Sequence, residues 1–371
     1  MPSGELRWMP DWSVLPQDLL VLISKYFTTF VDFIRFRSVC SSWRSAASPR
    51  RVPPSLPLLA FPPVDPDDSN PTCYFLSVSE AKLLKQCLPN SCRDKRFIGS
   101  ANGWFVLRGK DPFTSDASLL NPLTGTEIHL PPLCPHHFGR TGVEFVLKIV
   151  VSSPVSAGQI SAVAILGCSM QLALTRPGAD EWTLFGSSPN YQDALFFGGR
   201  FLVVDRFKRV FACDVDESSG PRLVEVMRYV SPIPFLWRER CYLVDSVGEL
   251  MMVIRLFDAT NAVKTTGFEV FKVDPNHRNQ WIEVSSLGDR SLFVGLNRSI
   301  SIRAREHPGC IENCIYFADD DFSHSGWFSG HKFDIGVFNL GNSSIDLFPD
   351  YHSKEECYFS RPSLWFSPSL V

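Results

Sequence analysis

Four groups of side chains in this 371-residue chain have the right types to bind a metal, move a proton or react: His136 and His137, Cys310 and Cys314, the carboxylates Asp65, Asp67 and Asp68, and the run Asp319, Asp320 and Asp321. Adjacent histidines point apart on any regular element, and this pair sits in a Pro-rich stretch, whereas a ligand set must converge. The spacing of "CIENC" differs from the C-x-x-C redox turn, and no second pair lies near in sequence to complete a zinc site, so both are expected as core thiols. Neither acidic run offers the alternating oxygens, glycine turn and later glutamate of a calcium loop, so solvated turns are expected. The G-x-S-x-G, H-E-x-x-H, G-x-x-x-x-G-K-[ST] and strand-linked G-x-G-x-x-G patterns are absent. No catalytic residue, metal or cofactor is therefore expected.

Charge narrows the partners. The formal net charge is −3, with 36 Lys and Arg against 39 Asp and Glu. Binding to nucleic acid draws on clustered cations that neutralise phosphates, and the balance here removes that driving force. The short basic group in "DRFKRVF" is read as a strand on which Arg206 and Lys208 share one polar face beside Arg209. No apolar run reaches the roughly 18 residues of a membrane helix, and the opening "MPSGELRWMPDW" has no basic start followed by an apolar core. The 11 cysteines are scattered without a framework, so reduced thiols and a place in the cytoplasm or nucleus are expected.

The elements that would position any site fall into two kinds. Residues 11–48 read as helical, within a module spanning 11–50. In "LPQDLLVLISKYF", Leu15, Leu19, Leu20, Ile23 and Phe27 recur at amphipathic spacing, with Pro16 as the expected first helical residue. Asp32 suits the start of a second helical segment, whose apolar side would be Phe33, Phe36, Val39, Cys40 and Trp43 before the prolines at 49, 53 and 54 stop it. Residues 1–10 form a tail, and 51–57 a short Pro-rich linker expected to be stiff.

From residue 58 to 371 the chain is expected to be almost all strand. Phe (30 residues) and Trp (nine) are abundant, and short runs of period two such as "GWFVLR", "GRFLVVD" and "ELMMVIRLF" are broken by Gly, Pro, Asn and Asp. A strand, polar turn and strand recur in "SLLNPLTGTEIHLPPL", "SMQLALTRPGADEWTLFGS", "RVFACDVDESSGPRLVEVM", "FEVFKVDPNHRNQWIEVSSL" and "IGVFNLGNSSIDLFPD". A Gly-opened strand pair precedes most of them, giving four-strand units every 40 to 65 residues, the pattern of a β-propeller blade. The count is six, with five also consistent. The terminal "SLWFSPSL" would complete the first blade and close the ring. Trp104, Trp182, Trp281 and Trp327 fall within these units, either as packing between sheets or, if exposed, as sugar-stacking surfaces.

About 40 helical residues cannot bury all of their own large side chains, so some must face the propeller or another protein. "LPQDLLVLI" followed by "FVDFIRFRSVCSSWRSAA" resembles the F-box: a Leu-Pro start, a Leu-rich helix, an acidic residue, then Val-Cys-x-x-Trp-Arg. "YFTTFVD" departs from it, since F-box proteins more often carry Leu-Pro there. "NPLTGTEIHLPPL", "YLVDSVGELMMVIR", "WIEVSSLGDRSLFVG", "NCIYFADD" and "LWFSPSL" are similar to plant F-box proteins with a Kib-type β-propeller, in the same order. The resemblance implies a mainly β fold with a small helical module in front, a three-helix F-box followed by a substrate-recognition propeller. It further implies that Leu15, Pro16, Leu19, Leu20, Ile23, Val39, Cys40, Trp43 and Arg44 meet the Skp-type adaptor of a cullin-RING ubiquitin ligase. The propeller would then hold a target protein, with the loops 136–141, 176–181 and 322–332 as contact sites. The alternative is a propeller that binds a glycan-type ligand, or acts as an enzyme, beneath a structural helical cap.

Overall fold

The computed structural model describes residues 11–49, 52–53, 55–63, 71–80, 82–109, 116–132, 146–152, 159–166, 171–186, 191–216, 220–229, 239–258, 264–277, 280–296, 298–319, 334–348 and 363–369. Two compact units make up the chain, Met1–Ser55 with Pro368–Val371, and Leu56–Ser367. Leu56, inside the Pro-rich stretch, already packs with the second unit.

The second unit is a ring of six sheets. Blade 1 contains β1 (Leu58–Phe61), β2 (Thr72–Ser77) and β3 (Lys82–Cys87). Blade 2 contains β4 (Lys95–Ala101), β5 (Trp104–Gly109), β6 (Ala117–Leu120) and β7 (Glu127–Leu130). Blade 3 follows with β8 (Val146–Val151), β9 (Ala162–Leu166), β10 (Gln171–Thr175) and β11 (Thr183–Phe185). Blade 4 has β12 (Tyr191–Phe197), β13 (Arg200–Asp205), β14 (Arg209–Asp216) and β15 (Gly220–Arg228). Blade 5 has β16 (Glu239–Ser246), β17 (Glu249–Phe257), β18 (Thr265–Val273) and β19 (Trp281–Glu283). Blade 6 has β20 (Arg290–Val294), β21 (Ile300–Arg303), β22 (Cys314–Phe317), β23 (Gly336–Asn339) and β24 (Ser344–Leu347). Finally β25 (Leu364–Phe366) pairs antiparallel with β1, Leu59 opposite Trp365, and completes blade 1. All five repeats found in the sequence are the outer strand pairs of blades 2 to 6.

Two features depart from the expected four-strand unit. The inner strands are apolar on both faces rather than alternating with polar residues, because each blade is covered on both sides. Period two survives as a sorting rule: on β17, Leu250, Met252 and Ile254 enter the core shared with blade 4, and Met251 and Val253 the core shared with blade 6. Six such apolar cores join the six neighbouring pairs of blades. Only the outer strands such as β3 and β24 are mostly exposed. Blade 6 has five strands: β20 pairs in parallel with β22, while β21 lies on its inner side beside β16.

Polar side chains add a second layer of blade-to-blade contact. Ser100 donates to the Trp365 carbonyl, and Trp182 Nε1 to the Pro131 carbonyl at 2.7 Å. Lys148 pairs with Asp193, whose other oxygen accepts the Leu243 N–H at 2.8 Å, tying blades 3, 4 and 5. Arg255, 1% exposed, bonds Asp334 at 3.0 Å and the Ala318 carbonyl at 2.8 Å across blades 5 and 6. Trp104 and Trp182 are buried in the core between blades 2 and 3, and Trp281 packs half-buried in blade 5, so these three are packing residues. Trp327 lies outside the described residues.

The seam between blades 6 and 1 rests on Trp365, fully buried with its ring edge-on to Phe293 at 5.1 Å and to Tyr316 at 6.2 Å. Trp365→Ala should lower propeller stability by about 3–5 kcal/mol, read as a fall in the urea midpoint by far-UV circular dichroism; an unchanged midpoint would show that the seam carries no such load. Within blade 2, burial alone would raise the Glu127 carboxyl, but Lys95 Nζ and the Ser118 and Ser91 hydroxyls outweigh it and hold it at about 2. A depressed carboxyl stabilises the fold above its unfolded value near 4.5 and loses that stabilisation as the pH falls toward 2. Glu127→Gln should therefore cost on the order of 2 kcal/mol at pH 7, and its deficit against wild type should shrink in urea titrations run from pH 5 to pH 3.

Candidate functional site

The helical unit is small enough to account for each large side chain among its described residues. α1 spans Gln17–Ser24, α2 Phe30–Arg37 and α3 Ser41–Ala46. Thr29 caps α2: its Oγ1 accepts the Asp32 N–H at 3.2 Å and donates to the Asp32 carboxylate at 2.8 Å, which explains the acidic residue at that point. What reads as one second helical segment is split at Val39 and Cys40, because Cys40 takes an extended conformation and caps α3. Pro16 is the cap of α1 rather than its first residue, and its carbonyl accepts the N–H groups of Leu19 and Leu20.

The core of this unit is Leu20, Phe33, Phe36, Ala46 and Ala47, with Leu15, Val21, Phe27, Ile34, Trp43 and Val52 packed around it. Phe36 lies 4.5 Å from the Trp43 ring and 5.1 Å from that of Phe27, and Trp43 Nε1 donates to the Trp12 carbonyl at 3.0 Å. Arg37 and Arg44 hold α2 to α3 by donating to each other's backbone carbonyls at 3.1 and 3.2 Å.

This packing divides the residues assigned to adaptor binding. Leu19 (47% exposed), Ile23 (40%) and Val39 (55%) face outward, and Pro16 and Arg44 are exposed too. Leu15, Cys40 and Trp43 are half-buried. Leu20 is fully buried, so it supports the outward face from beneath and is not part of it. The reason lies in α1 itself, where five consecutive apolar residues, Leu19 to Ile23, encircle the helix and one side cannot hold them all. Sequence reasoning missed Leu22 (47%) and Tyr26 (76%), which join Leu19 and Ile23 in a stripe at i, i+3, i+4 and i+7. That second period was present in the sequence beside the inward one. Burying a stripe of this size would release on the order of 5 kcal/mol.

Of the groups singled out for chemistry, Cys310, Cys314 and Asp319 lie among the described residues. Cys314 is buried, and burial raises its thiol to about 11; Cys310 is half-buried, and burial raises it as well. Eight cysteines are free thiols among the described residues. Arg206 lies in the turn between β13 and β14 rather than on a strand, and Lys208, 5% exposed at φ +61°, pairs with Glu239 at 2.7 Å, so the two share no polar face. His136, His137, the first acidic run, Asp320, Asp321 and the loops 136–141 and 322–332 lie outside the described residues. The loop 176–181 is described, as a turn whose Ala179 N–H bonds the Arg176 carbonyl at 3.1 Å. Among the described residues no cluster of three His, Cys, Asp or Glu side chains could hold a metal.

A polar cavity of about 220 Å³ occupies the ring axis, lined by Ser100, Ala101 and Asn102 of blade 2, Asp245 of blade 5, residues 298–301 of blade 6 and Ser367 after β25. Blades 2 and 5 are opposite in a six-membered ring, so a cavity touched by both lies on the axis. The segment before β21 crosses it: the Arg298 N–H bonds the Ser100 carbonyl at 2.8 Å, and its guanidinium donates to Asn102 Oδ1 at 3.0 Å. Burial lowers the Arg298 pKa, opposed by nearby Asp245. Asp245 is held by the Gly248 N–H at 2.9 Å in a hairpin whose tip is Val247, 70% exposed at φ +58°. A β-branched residue in the left-handed region costs about 1–3 kcal/mol.

Comparison with known proteins matches this architecture. Residues 75–339 match the KIB1-4 beta-propeller family. The chain is 28% identical to F-box protein SKIP23 of Arabidopsis thaliana over 92% of its own length and 93% of that protein. It is 28% identical to F-box protein At2g17036 of the same plant, covering 97% and 96% of the two chains, and 26% identical to the putative F-box protein At3g25750, covering 95% and 98%. With three N-terminal helices ahead of a six-bladed ring, the chain belongs to the plant F-box proteins that carry a KIB1-4 β-propeller.

Proposed function

We propose that this chain is the substrate receptor of an SCF-type cullin-RING ubiquitin ligase, in which the helical unit binds a Skp-type adaptor and the propeller binds the protein to be ubiquitinated. The observation that carries this reading is the exposed apolar stripe of Leu19, Leu22, Ile23 and Tyr26, with Val39, on a unit that has already filled its own core. Helices that lay such a stripe into a groove are a recurrent mode of protein recognition. The F-box names of its relatives support the same partner. Catalysis then needs no residue of this chain: holding a target beside a ubiquitin-charged enzyme raises the effective concentration of lysine near the thioester. Cytoplasm or nucleus is the setting this role proposes.

The double substitution Leu19→Asp with Ile23→Asp places two charges in the proposed contact while leaving Leu20 and Phe33 in place. Retention of a purified Skp-type adaptor by the full chain should fall at least about tenfold, since each charge buried unpaired in an apolar interface costs more than 1.4 kcal/mol. Far-UV circular dichroism should show the propeller melting as in wild type. Adaptor retention equal to wild type would overturn the assignment.

A further inference from the structure

The axial cavity is not accounted for by the adaptor-binding reading. Its wall is polar, and one of its groups is unsatisfied: Ser299, 5% exposed, has a hydroxyl without a hydrogen-bond partner among the described residues. Buried hydroxyls are ordinarily bonded, and an orphan beside a cavity marks a place where a ligand atom or water belongs. Asp245 uses Oδ1 for the Gly248 N–H, and no described group bonds Oδ2. The Arg298 guanidinium and the Ser301 hydroxyl, the latter already shared with Arg290 at 2.9 Å and Ser246 at 3.0 Å, complete the polar lining with Ser100 and Ser367.

Size and charge define what fits. At about 30 Å³ per liquid water the cavity holds roughly seven waters, the room of a molecule of about ten non-hydrogen atoms. Ordinary ligand pockets are larger and mostly apolar. The wall carries one cation and one anion, so a ligand with net charge would leave an uncompensated charge at a half-buried site. Hydroxyl groups suit the polar part of this wall, donating to Asp245 Oδ2, accepting from Arg298 and doing both with Ser299.

We infer that the ring axis is a binding site for a small, neutral, hydroxyl-rich molecule of monosaccharide or cyclitol size. It is held by Asp245, Arg298 and Ser299 and is independent of adaptor binding. The experiment is saturation-transfer NMR on the full chain with D-glucose and with myo-inositol as probes, and glycine as a zwitterionic comparison. Saturable binding of at least one of the two polyols is expected. Asp245→Asn should weaken it roughly tenfold, the loss expected for a hydrogen bond to a charged group, and Ser299→Leu, which fills the space, should abolish it. Asp245 is half-exposed, so its variant reports on binding even if Ser299→Leu fails to fold. No saturable signal from either polyol, binding of glycine alone, or polyol binding unchanged in Asp245→Asn would each overturn the inference.

Discussion

Everything in the large unit depends on one pairing, the antiparallel match of β25 with β1. A blade is a sheet whose two faces are buried only while it has a neighbour on each side, and an open ring would leave two apolar faces and one unpaired edge in water. Joining segments separated by about 300 residues costs loop-closure entropy of about 5 kcal/mol. The core between blades 6 and 1 offsets this with Phe61, Phe293, Tyr316 and Trp365. Closure therefore rests on a compact group of large rings at one seam rather than on the three-residue strand alone.

The ring is also locked by groups that apolar packing cannot direct. Apolar cores tolerate sliding, whereas a buried cation is costly unless it keeps its bonded acceptors. Lys148 with Asp193 and Arg255 with Asp334 fix the register of neighbouring blades, and the Leu243 N–H on Asp193 carries that register into a third. Blade 6 departs from its siblings because its chain turns inward after β20, runs along the axis as β21 and only then continues outward. That detour brings Arg298 to blade 2 and gives the axis its polar wall.

Much of this was legible in the sequence, and the exceptions have physical causes. Repeated strand–turn–strand units revealed the blades because the outer strands keep polar turns, and "SLWF" revealed the closing strand because it had no partner of its own. The fifth strand of blade 6 was not legible: β20 and β21 have the lengths and residue types of an ordinary hairpin, and nothing local specifies a parallel neighbour. In the helical unit the sequence pattern picked out residues but not the direction each of them faces. Leu19 and Leu20 are chemically identical neighbours, and only the packing of Phe33 and Phe36 decides which of them turns inward. The axial cavity had no signature because its lining residues come from four blades and four of the nine are serines.

Sealing the first blade with the last strand also imposes a timetable on biosynthesis. At about 5–20 residues per second, β25 leaves the ribosome some 15 to 60 seconds after β1. Throughout that interval the three N-terminal helices, whose apolar core is drawn from residues 15–52, are free to form, while the β1 edge waits for its mate. A nascent chain of this protein is thus competent at its front before it is finished at its back, and any truncated product would display an adhesive sheet margin to the quality-control machinery of the cell.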